Sequence, residues 1–302
     1  MDNKILKQKG EIMIDRAESQ FWAYDEDIKD SKKDLVLLDN VQFIYELSLA
    51  ELELKALGAD FNVTNGLREF KILNKSEELK ELIKKRASYF RTVNGEYTDY
   101  FNIIQKNQTR SVNQYLTHWI YPYKGKFHPQ MIRALLNIIG LKEGDIVFEP
   151  FSGSGTTALE AQLLGINFIG IDISPLCVMQ GRVKTESIYV LDEILKIKDE
   201  VILKLDSNLF STETNYYEMI EKLSSDERVR NFYNMARLLA VSDNSRRKRD
   251  FKSSFIKNLH LMISSVKDYI EIQKKLALNL GVVKTEIGDS RDVKLSDNSI
   301  DG

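Results

Sequence analysis

The stretch that decides the fold is Val147-Phe148-Glu149-Pro150-Phe151-Ser152-Gly153-Ser154-Gly155-Thr156-Thr157. A short apolar run of strand type enters a Gly/Ser/Thr turn, and residues 158–164 then have the pattern of a helix. Glycines let the backbone turn sharply and approach a ligand closely, and the first turn of a helix offers unpaired N–H groups. The turn therefore predicts a cofactor site, although taken alone it also fits an ordinary strand-to-helix connection.

A second apolar strand follows directly after this helix. Gly165 ends the helix, and Phe168-Ile169-Gly170-Ile171 leads to Asp172. In doubly wound α/β folds, an acidic residue at the tip of the second strand binds a ribose hydroxyl. The two segments together predict a βαβ unit with parallel strands and with Asp172 at the ligand crevice.

Three strings in this region resemble motifs of the amino-methyltransferases that act on DNA. Residues 149–157 resemble their cofactor motif, typically Asp-Pro-Phe-x-Gly-Ser-Gly-Thr, and residues 170–175 resemble their second-strand acid. The string Thr-His-Trp-Ile-Tyr-Pro-Tyr-Lys-Gly-Lys-Phe-His-Pro-Gln at 117–130 is similar to the segment that precedes this motif in the cytosine-N4 group. The resemblance covers about residues 110–185 and resumes at 286–292. It implies S-adenosylmethionine (SAM) as methyl donor and a Rossmann-like class I methyltransferase sheet of the doubly wound α/β class.

The resemblance also implies where each part of SAM lies. The methionine end would contact the Gly turn, the ribose would contact Asp172, and the adenine amine would donate to Asp289, beside the backbone of Ser290. Gly-Asp-Ser is also a common turn sequence, so the assignment of Asp289 to the cofactor site depends on its position after the first two motifs. Glu149 stands where Asp is usual, which makes the contact to the methionine amine one methylene longer. The complete set of implied cofactor-binding residues is Lys126, Phe127, His128, Glu149, Phe151, Ser152, Gly153, Ser154, Gly155, Thr156, Thr157, Asp172, Ile173, Asp289 and Ser290.

The catalytic tetrapeptide of this family, Ser/Asp/Asn-Pro-Pro-Tyr/Phe/Trp, does not occur in the 302 residues. The four prolines are isolated, at Pro122, Pro129, Pro150 and Pro175. In the family, the tetrapeptide holds the target amine in line with the methyl group and stacks the flipped base. Residues 300–302 have the pattern of the start of the fourth strand, which in the family ends in this motif. We therefore expect an incomplete sheet that supplies the cofactor half of an enzyme, and we name no catalytic residue.

Three hypotheses about function remain open at this point. The first is a DNA methyltransferase, most similar to the cytosine-N4 group, whose other half is encoded separately, in a second chain, or was lost by truncation. The second is an RNA methyltransferase that acts on a guanine N2 amine in tRNA, because those enzymes share the Gly turn. The third is a subunit that binds SAM or nucleic acid without chemistry. DNA is the expected partner, and RNA is the alternative.

Composition narrows the class of protein. The single cysteine, Cys177, cannot form an internal disulfide, and with three histidines in the chain no metal-ligand spacing occurs. The charged start of the sequence is unlike a signal peptide, and no apolar run approaches the ~20 residues that span a bilayer. We therefore expect a cytoplasmic protein without metal and without a membrane partner.

A basic cluster is the local exception to the balanced net charge of −2. Residues 242–260 contain six basic and two acidic side chains, for a local charge of +4. Such a cluster can neutralise phosphates, and it can equally be a solvated loop before a helix. The predicted contacts to nucleic acid are Arg246, Arg247, Lys248 and Arg249.

Periodicity divides the chain into two predicted parts. Residues 1–108 form a mostly helical unit, with apolar stripes from Phe43 to Leu57 and from Leu79 to Ala87 and a hairpin around Asn65-Gly66. Residues 109–302 form the incomplete SAM-binding core. About a hundred residues of helical pattern, at about 185–281, separate Asp172 from the third strand, and we predict that this insertion contacts the target.

Overall fold

The computed structural model describes residues 33–106, 113–205 and 213–302. The part of the chain before the Gly turn contains an antiparallel sheet. The strands are β1 (Leu35–Leu37), β2 (Phe61–Thr64), β3 (Glu69–Ile72), β4 (Phe90–Val93) and β5 (Glu96–Tyr97), in the order β2-β3-β1-β4-β5. The helices of this part are α1 (Ile44–Ala56), α2 (Glu77–Arg86) and α3 (Asp99–Ile104).

The predicted helical stripes are confirmed as α1 and α2, and the hairpin joins β2 to β3. Asn65 and Gly66 both have positive φ, as a tight hairpin turn requires. The prediction of a mostly helical unit was nevertheless incomplete, because the five-stranded sheet was not foreseen. Two residues expected in the core stripes are exposed: Phe43 is 60% exposed and Leu82 is 39% exposed.

The second half of the fold is a parallel sheet with the Gly turn at its edge. Its elements are α4 (Pro129–Ile138), β6 (Ile146–Glu149), α5 (Thr156–Leu163), β7 (Asn167–Asp172), α6 (Pro175–Glu186) and β8 (Val283–Ile287). The strand order is β6-β7-β8, and both pairings are parallel. This topology confirms the predicted doubly wound α/β class and the predicted third strand.

The edge of β6 opposite β7 forms main-chain hydrogen bonds with residues 301 and 302. The Asp301 N–H donates to the carbonyl of Ile146 at 2.8 Å, and the Phe148 N–H donates to the carbonyl of Gly302 at 3.0 Å. These bonds have the spacing of a strand ladder. Residues 301 and 302 therefore lie where the start of a fourth strand was predicted.

The long segment between α6 and β8 is helical in its described part, as predicted. A 3₁₀ turn (Ser187–Tyr189) leads into α7 (Leu191–Lys204), α8 (Glu213–Leu223), α9 (Glu227–Arg247) and α10 (Phe251–Lys275). The indole N–H of Trp119 donates to Ser265 on α10 at 2.7 Å, and the Tyr269 hydroxyl donates to Gln162 on α5 at 2.8 Å. Among the described residues, no helix is long and apolar enough to cross a membrane.

The larger of two hydrophobic clusters among the described residues joins the antiparallel sheet, the helices of the insertion and parts of α4, α5 and α6. The smaller cluster packs α4 and α5 on β6 and β7. Buried polar groups also connect the parts. Glu53 on α1 accepts hydrogen bonds from Ser88 and, at 2.8 Å, from Asn137 on α4. The buried Glu160 on α5 binds Tyr115 and His118 of the upstream segment. The domain boundary near residue 108 stays a prediction.

Candidate cofactor site

The Gly turn after β6 is held by main-chain hydrogen bonds. The Ser152 N–H donates to the carbonyl of Ile171 at 2.9 Å, and the Gly155 N–H donates to the carbonyl of Ser152 at 2.9 Å. Gly155 has φ +74°, and a Cβ there would lie 2.7 Å from the Cα of Gly181 on α6. Gly155 is therefore required both for the turn and for the close packing of α5 on α6.

Gly153 has a different environment. Its φ is +50°, and a Cβ there would lie 3.6 Å from the ring of Tyr123, which is ordinary van der Waals contact. Within the described structure, space therefore does not demand glycine at this position, and only the left-handed backbone favours it. The expectation that a side chain at Gly153 would displace the cofactor stays a prediction.

The Asp172 carboxylate connects the two loops that follow β6 and β7. One oxygen accepts from the Gly153 N–H at 2.8 Å, and the other accepts from the Ser174 N–H at 2.9 Å. A carboxylate oxygen has more than one acceptor direction, so each can also accept from a ligand hydroxyl. Asp172 thus fixes the turn from the end of β7, and its contact with a ribose stays a prediction.

Lys184 on α6 binds the main chain of the Gly turn. Its side chain is fully buried, and Nζ donates to the carbonyl of Ser154 at 2.6 Å. Burial, together with the charge of Lys126, holds the pKa of Lys184 well below its usual range. The motif gave no indication of this residue, because a lysine in a helical pattern predicts a solvent-exposed position.

Glu149 at the end of β6 has one satisfied and one unsatisfied oxygen. Oε1 accepts from the Thr157 hydroxyl at 3.2 Å, whereas Oε2 is buried and has no hydrogen-bond partner among the described residues. Burial, with the nearby charge of Asp172 adding to it, raises the pKa of Glu149 to about 7. A buried acceptor without a donor is the kind of group that an ammonium ligand satisfies.

Three exposed apolar side chains belong to the turn, to the loop after β7 and to the segment before α4. Phe151 is 73% exposed, Ile173 is 74% exposed and Phe127 is 56% exposed. In contrast, Ser152, Ser154, Thr156 and Thr157 of the turn are buried. Exposed apolar side chains beside buried polar groups give a surface that fits a partly apolar ligand such as a nucleoside.

Two further predicted residues precede α4. Lys126 is half-buried, and Nζ donates to the carbonyl of His118 at 2.8 Å, while desolvation lowers its pKa to about 8. His128 caps α4 without a side-chain capping bond, and its Nε2 lies 2.5 Å from Nδ2 of Asn113. Both residues therefore stabilise the upstream segment, and direct contact with a cofactor stays a prediction.

The end of β8 lies beside the end of β7. The Gly288 N–H donates to the main-chain carbonyl of Asp172 at 3.1 Å, which brings Asp289 to the same edge of the sheet. The Asp289 carboxylate binds Arg291 at 2.5 Å, and this contact lowers the pKa of Asp289. Ser290 follows in the same exposed loop. The predicted adenine end of the site is thus adjacent to Asp172.

The basic cluster lies at the junction of α9 and α10. Arg246 and Arg247 are in the last turn of α9, Lys248 is its left-handed C-cap, and Arg249 follows. Arg247 and Arg249 pair with Asp243 at 3.0 and 3.7 Å. In the described structure, Arg246 and Lys248 form no ion pair. Two of the four predicted phosphate contacts are therefore unneutralised and exposed.

Comparisons with known proteins agree with this geometry. A family model described as DNA methylase (N6 and N4 methyltransferases) matches residues 3–182, which is more than half of the chain. The chain belongs to this DNA methylase family. The matched segment includes the upstream segment, the Gly turn and Asp172, and it ends within α6.

Individual relatives match shorter segments. The type II methyltransferase M.MjaII of Methanocaldococcus jannaschii is 40% identical over 100 residues, and M.BsoBI of Geobacillus stearothermophilus is 41% identical over 96 residues. These segments cover 33% and 32% of this chain but only 18% of either relative. A tRNA (guanine(10)-N2)-dimethyltransferase of M. jannaschii is 37% identical over 78 residues, which cover 26% of this chain and 22% of that protein.

Membership in the family implies methyl transfer from SAM, and the described residues fit that cofactor. The turn has a buried acceptor without a donor at Glu149 and a carboxylate at Asp172 at the edge where ribose was expected. The fit rests on the donors and acceptors of the site itself.

Proposed function

We propose that these residues form the cofactor-binding part of a DNA methyltransferase that methylates the N4 amine of cytosine within a modification system. The observation that carries the proposal is the Gly turn, held by Asp172 and Lys184, with the unsatisfied Glu149 oxygen beside it. The similarity of residues 117–130 to the cytosine-N4 group and the type II relatives support a DNA target.

Each side chain has a proposed role toward SAM, which supplies an electrophilic methyl group on a sulfonium. Glu149 and the turn would bind the methionine end, Asp172 the ribose, and Asp289 the adenine amine, with Phe151 and Ile173 covering apolar surface. Because the Pro-Pro motif is absent from the 302 residues, the target amine would be positioned by a segment or second chain that carries it. Arg246, Arg247, Lys248 and Arg249 would contact phosphates. A cytoplasmic location completes this proposal.

A tRNA guanine-N2 enzyme is the second candidate, because tRNA (guanine(10)-N2)-dimethyltransferases match up to 35% of this chain. A subunit that binds SAM without chemistry is the third. Incorporation of tritiated methyl groups into DNA and into tRNA separates them, measured with and without a segment that carries Ser-Pro-Pro-Tyr. Label in DNA cytosine supports the proposal, label in tRNA alone supports the second candidate, and cofactor binding without label supports the third.

A further inference from the structure

Glu149 differs from the other groups of the site because its free oxygen is enclosed. Oε2 is buried and receives no hydrogen bond, while Oε1 receives one, from the hydroxyl of Thr157 at 3.2 Å. An ionised carboxylate with one enclosed and unpaired oxygen is costly, whereas a carboxylic acid in the same place is not. The surroundings of the carboxyl group therefore favour a protonated Glu149.

The charge of Asp172, at the end of β7, acts in the same direction as burial and raises the pKa of Glu149. Both oxygens of Asp172 accept main-chain N–H groups. Thr157 on α5 is neutral. Tyr123 contacts Cys177 and lies within electrostatic range of Asp172, and Lys184 binds the carbonyl of Ser154. No described cation contacts the Glu149 carboxylate.

We propose that uptake of the cofactor is linked to a proton through Glu149: the free site holds a neutral carboxylic acid, and a ligand with an α-ammonium group binds the ionised form and expels that proton to solvent. The proposal rests on the proposed SAM site. The ammonium keeps its own protons and donates to Oε2, so one proton leaves for each ligand bound. The site thereby selects ligands that carry an amine at the methionine end.

The proposal gives a defined pH dependence. Burial raises the pKa of Glu149 to about 7. Below pH 7 the ligand must displace a proton from Glu149, so its affinity falls about tenfold for each pH unit. Above pH 7 the affinity should level off, because Glu149 is then ionised without the ligand, and it should fall again only where the amine of the ligand loses its own proton.

The test is calorimetric titration of the chain with S-adenosylhomocysteine from pH 5.5 to 8.5, in pairs of buffers with different ionisation enthalpies. At pH 6 we expect release of about 0.9 proton per ligand, from a pKa of about 7. The matched ligand is 5′-deoxy-5′-methylthioadenosine, which lacks the amine and should release no proton. Thermal unfolding at each pH shows that the protein stays folded.

Two variants separate the role of the carboxylate from simple packing. Glu149→Gln should bind S-adenosylhomocysteine more weakly at pH 7.5 and without pH dependence between pH 5.5 and 7. Thr157→Val removes the donor that lowers the pKa of Glu149, so the pH profile should move to higher pH while the carboxylate remains. Binding of S-adenosylhomocysteine without proton release below pH 7 would overturn the proposal and leave the cofactor site intact. Failure of both ligands to bind at any pH would overturn the proposed function itself.

Discussion

The side-chain nitrogen of Lys184 lies 2.6 Å from the main-chain oxygen of Ser154, and both groups are buried. Lys184 is on α6, the helix that follows the second strand of the βαβ unit, and Ser154 is in the turn before α5. On the opposite side, Asp172 accepts the N–H of Gly153 at 2.8 Å. Two adjacent residues of the turn are thus fixed from two directions by side chains of the next strand and helix.

Replacement of Lys184 by Met should reduce cofactor affinity without reducing stability. Without this hydrogen bond the turn is less ordered before the ligand binds, so the dissociation constant should rise by up to about tenfold. Methionine also removes a buried amine, so the free energy of unfolding should stay equal or rise. Ser187→Ala, which removes another buried hydrogen bond of the same segment, is the control and should leave affinity unchanged. Equal affinity of Lys184→Met and the parent would contradict the role of Lys184.

The two glycines of the turn should respond differently to alanine. Gly155→Ala adds a Cβ 2.7 Å from Gly181 and a strained φ, so urea unfolding should show a loss of about 2–5 kcal/mol. Gly153→Ala meets only the Tyr123 ring at 3.6 Å, so its loss should be about 1–2 kcal/mol. Gly58→Ala, with positive φ and open space, calibrates the cost of the backbone alone. Similar losses in all three variants would show that helix packing at Gly155 is unimportant.

Asp172→Ala should weaken binding of S-adenosylhomocysteine and of methylthioadenosine alike, because both ligands carry the ribose. We expect a loss on the order of 1–3 kcal/mol in each case. The variant also leaves the N–H groups of Gly153 and Ser174 without their acceptor, so a lower melting temperature should accompany it. A loss confined to S-adenosylhomocysteine would instead place Asp172 at the methionine end.

The basic cluster can be tested through the salt dependence of DNA binding. Replacing Arg246, Arg247, Lys248 and Arg249 by Gln should lower the slope of log affinity against log salt by up to about 0.9 per lost phosphate contact. Arg246 and Lys248 should account for most of this change, because Asp243 partly neutralises the other two. The control is Lys274→Gln with Lys275→Gln, at the opposite end of α10, about 35 Å away along the helix. An unchanged slope would make the cluster a solvated helix connection.

Glu53 should make stability depend on pH. Burial raises its pKa to about 7 from an ordinary 4.5, so the folded protein holds this proton more tightly than the unfolded chain. The stabilisation by this bound proton is fully present below pH 4.5 and is lost as the pH rises through 7. The free energy of unfolding should fall by up to about 3 kcal/mol over this range. Glu53→Gln cannot ionise and should lose less stability between pH 5 and pH 8 in urea unfolding. The exposed Glu77→Gln should keep the pH dependence of the parent, and identical curves for Glu53→Gln would contradict the prediction.

The sequence predicts best what is local. Glu149, the Gly turn and Asp172 lie within 24 consecutive residues. The succession of strand, turn, helix, second strand and acidic residue could therefore be predicted from this segment alone. Beyond the β2–β3 hairpin, the antiparallel sheet was missed because its strands are two to four residues long and pair distant segments, as Leu35 does with Phe70 and Val93. Strands this short show no clear alternation of apolar and polar residues.

Lys184 escaped prediction for a related reason. Its partner, Ser154, is 30 residues away, and only the packing of α5 on α6 at Gly155 brings them together. The unsatisfied oxygen of Glu149 is likewise a property of burial, which a motif does not reveal. The type of site was therefore predictable, whereas the groups that set its protonation and rigidity required the fold.

The pairing of β7 with β8 has a consequence for biosynthesis. More than a hundred residues separate Asp172 from Val283, and at about 5–20 residues per second the ribosome needs roughly 5–20 s to make them. During that time one edge of β7 exposes unpaired N–H and C=O groups, which are open to aggregation. The helices from α6 to α10 emerge in this interval and can pack first. The pairing of β8 with β7, and with it the bond from Gly288 to Asp172, can therefore form only after these helices have been made.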